Sequence, residues 1–249
     1  MSTIYILWLR QLKRYFRSRA RIVGSLGQPL LFLVALGFGL GPVYQKAGGG
    51  NYIDFLAPGI IAMGILFTAV FSGIEIIWDR QFGFLKETLV APVTRTHIMI
   101  GRTLGGATVA MMQGVLVFFL SLLVGFRPVG GVGSFLLALV FMFLIAVLFT
   151  ALGTAIASRL EDMQGFQLIM NFLVMPLFFL SGALFPIDGL PSAIGTIVTL
   201  DPLAYGVDGL RHVLTGAAHF GLLLDFGVLT GITVVLVLVG TWLFSKIQI

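Results

Sequence analysis

Long apolar runs alternate with short polar connections along the whole chain. Six of these runs are each close to the ~20 residues that a helix needs to cross the hydrocarbon core of a bilayer. They cover residues 22–40, 55–77, 103–125, 135–157, 166–185 and 222–244. Because backbone groups in lipid must form their hydrogen bonds within their own segment, each run predicts a helix. We therefore expect an all-α polytopic membrane protein with six transmembrane helices, folded as a single domain over residues 1–249.

Residues 1–21 are patterned differently, with apolar and basic positions segregated on a helical wheel. One face carries Ile4, Trp8, Leu12, Tyr15 and Phe16, and the opposite face carries Arg10, Lys13, Arg14, Arg17 and Arg21. Such a helix lies in the headgroup region, with its aromatic side buried and its basic side towards anionic lipid. The pattern predicts an interfacial amphipathic helix, and a plain basic tail is the alternative.

The most charged connection is residues 78–102, WDRQFGFLKETLVAPVTRTHIMIGR, which we call the polar connection. Phe82, Leu85 and Leu89 recur in it at spacings of three and four, which predicts a short amphipathic helix. Pro92 then ends that helix, because its ring removes a backbone donor and clashes with the preceding turn. A short helix with a firm end can transmit a push from another protein. A solvated charged loop is the alternative.

The segment 185–216, between the fifth and sixth runs, is apolar at first but broken by prolines. Residues 185–200 are too short and too interrupted to span, which favours a re-entrant hairpin on the outer side. Asp201 and Pro202 then read as an N-cap followed by proline at the first helical position. In the resulting helix, Asp208 can pair with Arg211 or His212, three and four residues further on. The apolar face of that helix is Leu203, Val207, Leu210 and Leu214.

Composition supports a membrane protein, since 58% of residues are hydrophobic and 10% are charged, against about 25% charged in soluble domains. Without cysteine, neither disulfides nor thiolate metal sites can form.

The net charge of +5 comes from basic residues gathered on one side of the bilayer, which places both termini and the polar connection in the cytoplasm. No nucleic-acid module is recognisable. The inner side would hold Arg10, Lys13, Arg14, Arg17, Arg19, Arg21, Arg80, Lys86, Arg95, Arg102, Arg159 and Lys246, and the outer side Lys46, Arg127 and Arg211.

Few polar residues lie within the predicted spans. Gln28, Gln113 and Asn171 must each face a helix neighbour or a wet cavity, because an unpartnered polar group in lipid costs a few kcal/mol. Glu75 is either a gate or substrate contact, or a side chain that reaches interfacial water or Arg80. These four residues are the candidates for a translocation path. Two pairs, Gly101/Gly105 and Gly227/Gly231, also match the small-xxx-small spacing of closely packed helices.

Two other classes of protein compete with a driven transporter. His212, His219, Asp201 and Asp208 suggest a hydrolase or a metal site on the outer side, but no H-E-x-x-H or G-x-S-x-G motif accompanies them, so we expect no catalytic or metal-binding residue. An ion-coupled secondary carrier or a channel is the stronger alternative. A proton- or ion-coupled carrier usually needs a charged residue at mid-span, however, and none lies there.

Three stretches carry a family resemblance: DRQFGFLKETLVAPVTR, LSGALFPIDGLP and DPLAYGVDGLR. They resemble the membrane subunits of type-2 ABC exporters, above all the daunorubicin-resistance and nodulation lipo-oligosaccharide export permeases. The likeness extends over nearly the whole chain. Asp201 stands where asparagine is more frequent in that family, and Gln81 where glutamate is common.

The resemblance implies a half-transporter of a prokaryotic inner membrane, with a second copy completing the path and a separate ATPase beneath each polar connection. The chain has no G-x-x-x-x-G-K-[ST] phosphate loop, so it is expected to bind no cofactor and to leave ATP and Mg²⁺ to the partner. Glu87 and Lys86 would make polar contacts with the ATPase, and Phe84 and Leu85 would insert as apolar anchors. The implied coupling residues are Arg80, Phe82, Gly83, Phe84, Leu85, Lys86, Glu87, Leu89 and Pro92. The implied cargo is amphipathic, drug-like or a lipid or glycolipid.

Overall fold

The computed structural model describes residues 2–90, 92–188 and 191–246, without the side chains of Arg21, Lys86 and Leu89. Within these ranges the regular structure is eleven helices, with no strand. They are α1 (Thr3–Arg17), α2 (Arg19–Lys46), α3 (Tyr52–Phe71), α4 (Ile74–Gln81), α5 (Phe84–Val90), α6 (Arg95–Val124), α7 (Val132–Ala157), α8 (Met163–Leu180), α9 (Ser192–Leu200), α10 (Pro202–Thr215) and α11 (Leu222–Ser245).

The six predicted spans are confirmed as helices long and apolar enough to cross a membrane. They are α2 from Ile22, α3 together with α4, α6, α7, α8 and α11. The main difference concerns α6, which begins at Arg95, eight residues before the predicted span at 103. The last eight residues of the polar connection, 95–102, therefore belong to α6, and Thr94 caps that helix by accepting a hydrogen bond from the N–H of His97. Apolarity alone could not reveal this extension, because the added turns also carry Arg95, His97 and Arg102.

The bundle is built around α3, which packs against α2, α6, α7 and α10. In its most apolar window the second span is 72% buried, whereas the first, fifth and sixth spans are only 17%, 22% and 17% buried. The junction of α3 with α4 is tight, because a Cβ on Gly73 would overlap the backbone of Gly153 in α7. Helices α2, α8 and α11 therefore form the periphery, with large outward surfaces.

Helix α1 packs along α6, and this differs from the lipid-facing orientation that its aromatic face predicts. The indole N–H of Trp8 donates to Thr108 Oγ1 at 3.0 Å. A Cβ on Gly101 would lie 3.1 Å from Ile4 Cα, and one on Gly105 would lie 2.6 Å from Gln11 Cγ. The Gly101/Gly105 pair thus lets α1 approach α6 closely. Gly227 and Gly231, in contrast, have no atom within 4 Å of an added Cβ, so no helix of the described residues packs closely on them.

Between the fifth and sixth spans the chain forms a short α9 and a buried α10, separated by Asp201. The side chain of Asp201 accepts from the N–H of Leu203 at 2.8 Å, and Pro202 is the first helical residue, as predicted. The predicted apolar face of α10 is also confirmed, since Leu203, Val207, Leu210 and Leu214 are all buried. Helix α10 packs on α3, α7 and α11. This segment therefore closes the end of the bundle opposite α1.

Candidate functional site

Helices α1, α4 and α5 lie together at one end of the bundle, which we call the basic end. The turn between α7 and α8 joins them, since Arg80 of α4 donates to the carbonyl oxygens of Ser158 and Leu160 at 3.1 and 2.9 Å. Gln81 reaches the carbonyl of Glu161 in the same turn. Arg80 thus donates to backbone carbonyls. It does not form the pair with Glu75 that the sequence suggested. These contacts anchor the start of the polar connection on the turn between α7 and α8.

One carboxylate, Asp79, holds the basic end together, and we call Arg10, Asp79 and Arg102 the Asp79 cluster. Arg10 of α1 donates to both oxygens of Asp79, at 2.8 and 3.1 Å, and Arg102 of α6 donates at 2.6 Å. Asp79 and Arg102 are 6% and 4% exposed. Charge-assisted and bidentate hydrogen bonds are the strongest class, and they offset the cost of burying these charges. The cluster ties α1, α4 and α6 to one another.

Glu75 is buried and ion-paired rather than in contact with interfacial water. Its carboxylate lies 3.6 Å from Arg14 of α1. The guanidinium of Arg14 also lies 5.0 Å from the centre of the Trp78 ring. Arg10 and Arg14 were predicted to face lipid from the basic side of α1, and both instead turn towards acidic residues of α4. The sequence reading missed these pairs because they join residues more than sixty positions apart.

The short helix of the polar connection exists, but it begins later than the apolar spacing predicts. Gly83, with φ of +79°, separates α4 from α5, so Phe82 lies in the break and not on the helix. Phe82 is 82% exposed, whereas Leu85 is 2% exposed and packs in the core. The outward anchoring role predicted for Leu85 is incompatible with that burial. Helix α5 ends at Val90, two residues before Pro92.

Arg10 reaches this helix as well as the Asp79 cluster. Its guanidinium lies 3.9 Å from the centre of the Phe84 ring, a distance at which a cation is attracted to the face of an aromatic ring. One α1 residue therefore contacts α4 and α5 at once. Glu87 is exposed, while the side chains of Lys86 and Leu89 lie outside the described residues.

The four candidates for a translocation path divide into two pairs. Gln113 is fully buried and exchanges hydrogen bonds with Ser25, donating to its carbonyl at 3.0 Å and accepting from its hydroxyl at 3.0 Å. Glu75 is the ion-paired residue described above. Gln28 and Asn171, by contrast, are exposed. A cavity of about 210 Å³ between α2 and α3 has Gln28 in its lining.

Helix α8 carries a polar stripe that the sequence reading did not single out. Gln164, Gln167 and Asn171 are all exposed, and their spacing of three and four places them on one helical face. Helix α8 lies beside α2, because the rings of Phe32 and Phe178 are 6.3 Å apart. We call the outward face of α2 and α8, with Gln28 and Asn171, the polar outward face. The sequence could have revealed this stripe through its amide side chains, which are spaced i, i+3, i+7.

At the opposite end, the predicted pairing of Asp208 with Arg211 or His212 is wrong. Asp208 accepts hydrogen bonds from the backbone N–H groups of His219 and Phe220 at 2.8 to 3.0 Å. Arg211 donates to the carbonyl oxygens of Gly182 and Phe55. Burial lowers the pKa of Arg211 to about 10, which Asp208 partly opposes. Both side chains therefore fix loops against α10.

Burial also affects the N-cap of α10. It raises the pKa of the Asp201 carboxyl from 3.8 to about 7, although the N–H of Leu203 favours the charged form. The second oxygen of Asp201 has no hydrogen-bond partner among the described residues. The neutral carboxyl is therefore the form that this site favours.

Comparison with known proteins points in one direction. The ABC-2 type transporter family matches residues 2–215. Nodulation protein J of Rhizobium leguminosarum bv. viciae is 30% identical to the chain, over 97% of the chain and 91% of that protein. The protein named transport permease ycf38 in Porphyra purpurea is 30% identical over 86% of the chain and 74% of that protein. Six membrane-crossing helices and a family match over most of the sequence lead to one conclusion: the chain belongs to the ABC-2 type transporter family.

Proposed function

We propose that this chain, the membrane subunit of an ABC exporter, moves an amphipathic cargo outward as a pair of copies driven by a separate ATPase. The observation that carries the proposal is the position of Arg10, which contacts Asp79 of α4 and Phe84 of α5 from α1. A push on α5 is passed to α1 and α4 through this residue. ATP and Mg²⁺ would be held by the partner.

The basic end faces the cytoplasm in this proposal. Basic residues accumulate on the cytoplasmic side of membrane proteins. Helices α1, α4 and α5 carry six of the chain's fifteen lysines and arginines, against one in α9 and α10. The inferred location is the inner membrane of a prokaryote, with both termini inside. The segment of α9 and α10 then lies at the outer leaflet as a re-entrant element.

Coupling would proceed by rigid-body movement between two packings. Helix α4 continues into α3 at the centre of the bundle, and the Asp79 cluster joins α4 to α6. The buried Leu85 fastens α5 to the core, which leaves Phe82, Glu87 and the outer side of Phe84 for the ATPase. The sequence predicted that Leu85 inserts into the ATPase. In this proposal Leu85 instead holds α5 against the core of its own chain.

The second copy would lie against the polar outward face. Amides exposed to lipid are unfavourable, so Gln28 and Asn171 gain most if they face another copy or a wet path. The outward face of α11, in contrast, is apolar at positions such as Leu223, Val235 and Leu238. A path with amides on apolar walls suits a cargo that is itself amphipathic.

The docking proposal is tested by co-expressing this chain with its partner ATPase and purifying the two together. Replacing Lys86 and Glu87 by alanine should reduce ATPase recovery or uncouple hydrolysis from transport. Arg159→Ala is the matched control, because Arg159 is exposed at the same end but lies in the turn before α8. Unchanged assembly and export in the double variant would remove these residues from the interface.

The runner-up function, an ion-coupled carrier or channel, makes the opposite prediction. Liposomes that contain the chain alone should then take up solute under an ion gradient. We expect no transport until the ATPase and ATP are added. Transport by the chain alone would exclude the proposed drive.

A further inference from the structure

A groove of about 630 Å³ runs between α1 and α4 at the basic end. Tyr5, Ile6 and Leu9 form its apolar wall on α1, and Trp78 and Phe82 lie across from them. Tyr5 and Ile6 are 44% and 52% exposed. An open groove with this much uncovered apolar surface is suited to a ligand that has an apolar part.

The charges along the groove are not balanced. Four cations line it, Arg10, Lys13, Arg14 and Arg17, against the single carboxylate of Asp79. Asp79 binds Arg10, and Glu75 binds Arg14. Lys13 and Arg17 are both exposed, and neither forms an ion pair with another described residue. Two cations, one helical turn apart on α1, therefore remain for an anion.

The apolar wall continues beyond the groove along the outward side of α1. Phe16 is 58% exposed there, and its spacing of eleven and seven residues puts it on the same helical face as Tyr5 and Leu9. A helix with an exposed apolar strip beside a row of cations lies at headgroup level. The groove therefore opens where phosphate groups meet acyl chains. An acidic protein segment would balance the cations, but it would leave the strip uncovered.

We propose that this groove binds an anionic phospholipid of the inner leaflet. Lys13 and Arg17 hold the headgroup phosphate, and the acyl chains lie along Tyr5, Leu9 and Phe16. A lipid in this position stabilises α1 against α4, beside the contacts of Arg10. Lipid binding itself needs neither the ATPase nor the translocation path, so it can be measured on this chain alone.

The test uses the purified full chain in detergent, titrated with dioleoyl phosphatidylglycerol or dioleoyl phosphatidylcholine and observed by native mass spectrometry. We expect the first phosphatidylglycerol to bind about tenfold more tightly than phosphatidylcholine, since each cation near a membrane surface attracts anionic lipid. The double variant Lys13→Gln/Arg17→Gln should lose that preference. Arg159→Gln/Lys246→Gln removes two exposed cations that do not line the groove, and this variant should keep the preference.

A second measurement locates the lipid. The chain has three tryptophans, and a Trp8→Phe/Trp242→Phe variant leaves Trp78 on the groove wall. Its emission should shift with phosphatidylglycerol and not with phosphatidylcholine or inorganic phosphate. Equal affinity for both lipids, a preference that survives in Lys13→Gln/Arg17→Gln, or a shift with phosphate alone would overturn the proposal. So would loss of ATPase binding in that double variant while the lipid preference persists, because the groove would then be a protein-docking surface.

Discussion

At the scale of single residues, the chain concentrates buried charge in a few side chains that join distant helices. Asp79 accepts from Arg10 and Arg102, and Arg102 is almost wholly buried. A buried ion pair contributes little against a well-packed apolar alternative, but breaking it leaves an uncompensated charge. Such residues are therefore sensitive to substitution by isosteres, which change charge without changing volume.

Asp79→Asn should destabilise the chain by about 3 kcal/mol, because Arg102 then stays buried without its counter-ion. The measurement is thermal unfolding in detergent. Glu87→Gln makes the same change of charge at an exposed position and should shift the midpoint little. A midpoint in Asp79→Asn equal to that of the parent chain would show that Arg102 is satisfied in another way.

The raised pKa of Asp201 predicts that the free energy of unfolding decreases as the pH rises. Its pKa of about 7 lies above the ordinary 3.8, so the fold favours the neutral carboxyl. The stabilisation is complete below pH 4 and is lost as the pH rises towards 7. Between pH 5 and pH 8 the loss should be about 3 kcal/mol, because about two pH units separate pH 5 from the folded pKa, at 1.36 kcal/mol for each.

The check is thermal unfolding of the parent chain and of Asp201→Asn at both pH values. Asparagine keeps an acceptor for the N–H of Leu203 and is an equally good N-cap, but it carries no charge. The variant should lose this part of the pH dependence and be the more stable protein at pH 8. If the unfolding midpoints of the two proteins changed equally between these pH values, Asp201 would not titrate in this range.

At the scale of helices, close approach between α1 and α6 depends on two glycines. A Cβ on Gly105 would lie 2.6 Å from Gln11 Cγ, so a larger side chain must push α1 away from α6. Gly105→Leu should release α1, expose Trp8 to quenchers of its fluorescence, and weaken the contact of Arg10 with Asp79. Overpacking of this kind costs about 1–3 kcal/mol.

Gly227→Leu is the matched control for that experiment. Gly227 has the same small-xxx-small spacing with Gly231, yet an added Cβ meets no atom within 4 Å. Its replacement should leave Trp8 protected. The two glycine pairs are alike in sequence, and only their surroundings distinguish them.

This contrast shows how far the sequence could lead. Hydropathy and length were sufficient for the six spans, because lipid forces any apolar run of that length to be a helix. Local rules also sufficed for the Asp201 cap of α10. Which surface a helical face meets was not predictable: Ile4, Trp8 and Tyr15 look like lipid-facing residues, and they pack on α6.

The site shows the same limit. Leu85 and Phe82 share an apolar spacing in the sequence, but the positive φ of Gly83 separates them into a buried and an exposed residue. Arg80, Asp208 and Arg211 had plausible partners three to five residues away, and each instead binds backbone groups of a more distant segment. Local spacing cannot rank a nearby side chain against a distant carbonyl that tertiary packing brings close.

At the scale of the whole molecule, the helix periphery separates into two kinds of surface. The polar outward face joins α2 and α8 and presents Gln28 and Asn171. The face of α11 presents only apolar and small residues, with Val235 and Leu238 among the most exposed. If two copies associate through the polar outward face, Gln28 and Asn171 lie at the interface and Val235 faces lipid.

The absence of cysteine makes this prediction direct to test. Single variants Gln28→Cys and Asn171→Cys, treated with a short bifunctional maleimide in membranes, should form cross-linked dimers, because each places a thiol near its symmetry mate. Val235→Cys places an equally exposed thiol on the apolar face of α11 and should remain monomeric. Adding the ATPase with ATP should change the cross-linking rate at position 28 or 171, since the proposed coupling would move the two copies against each other. Dimers from Val235→Cys alone would place the second copy on α11 and reverse the assignment of the two surfaces.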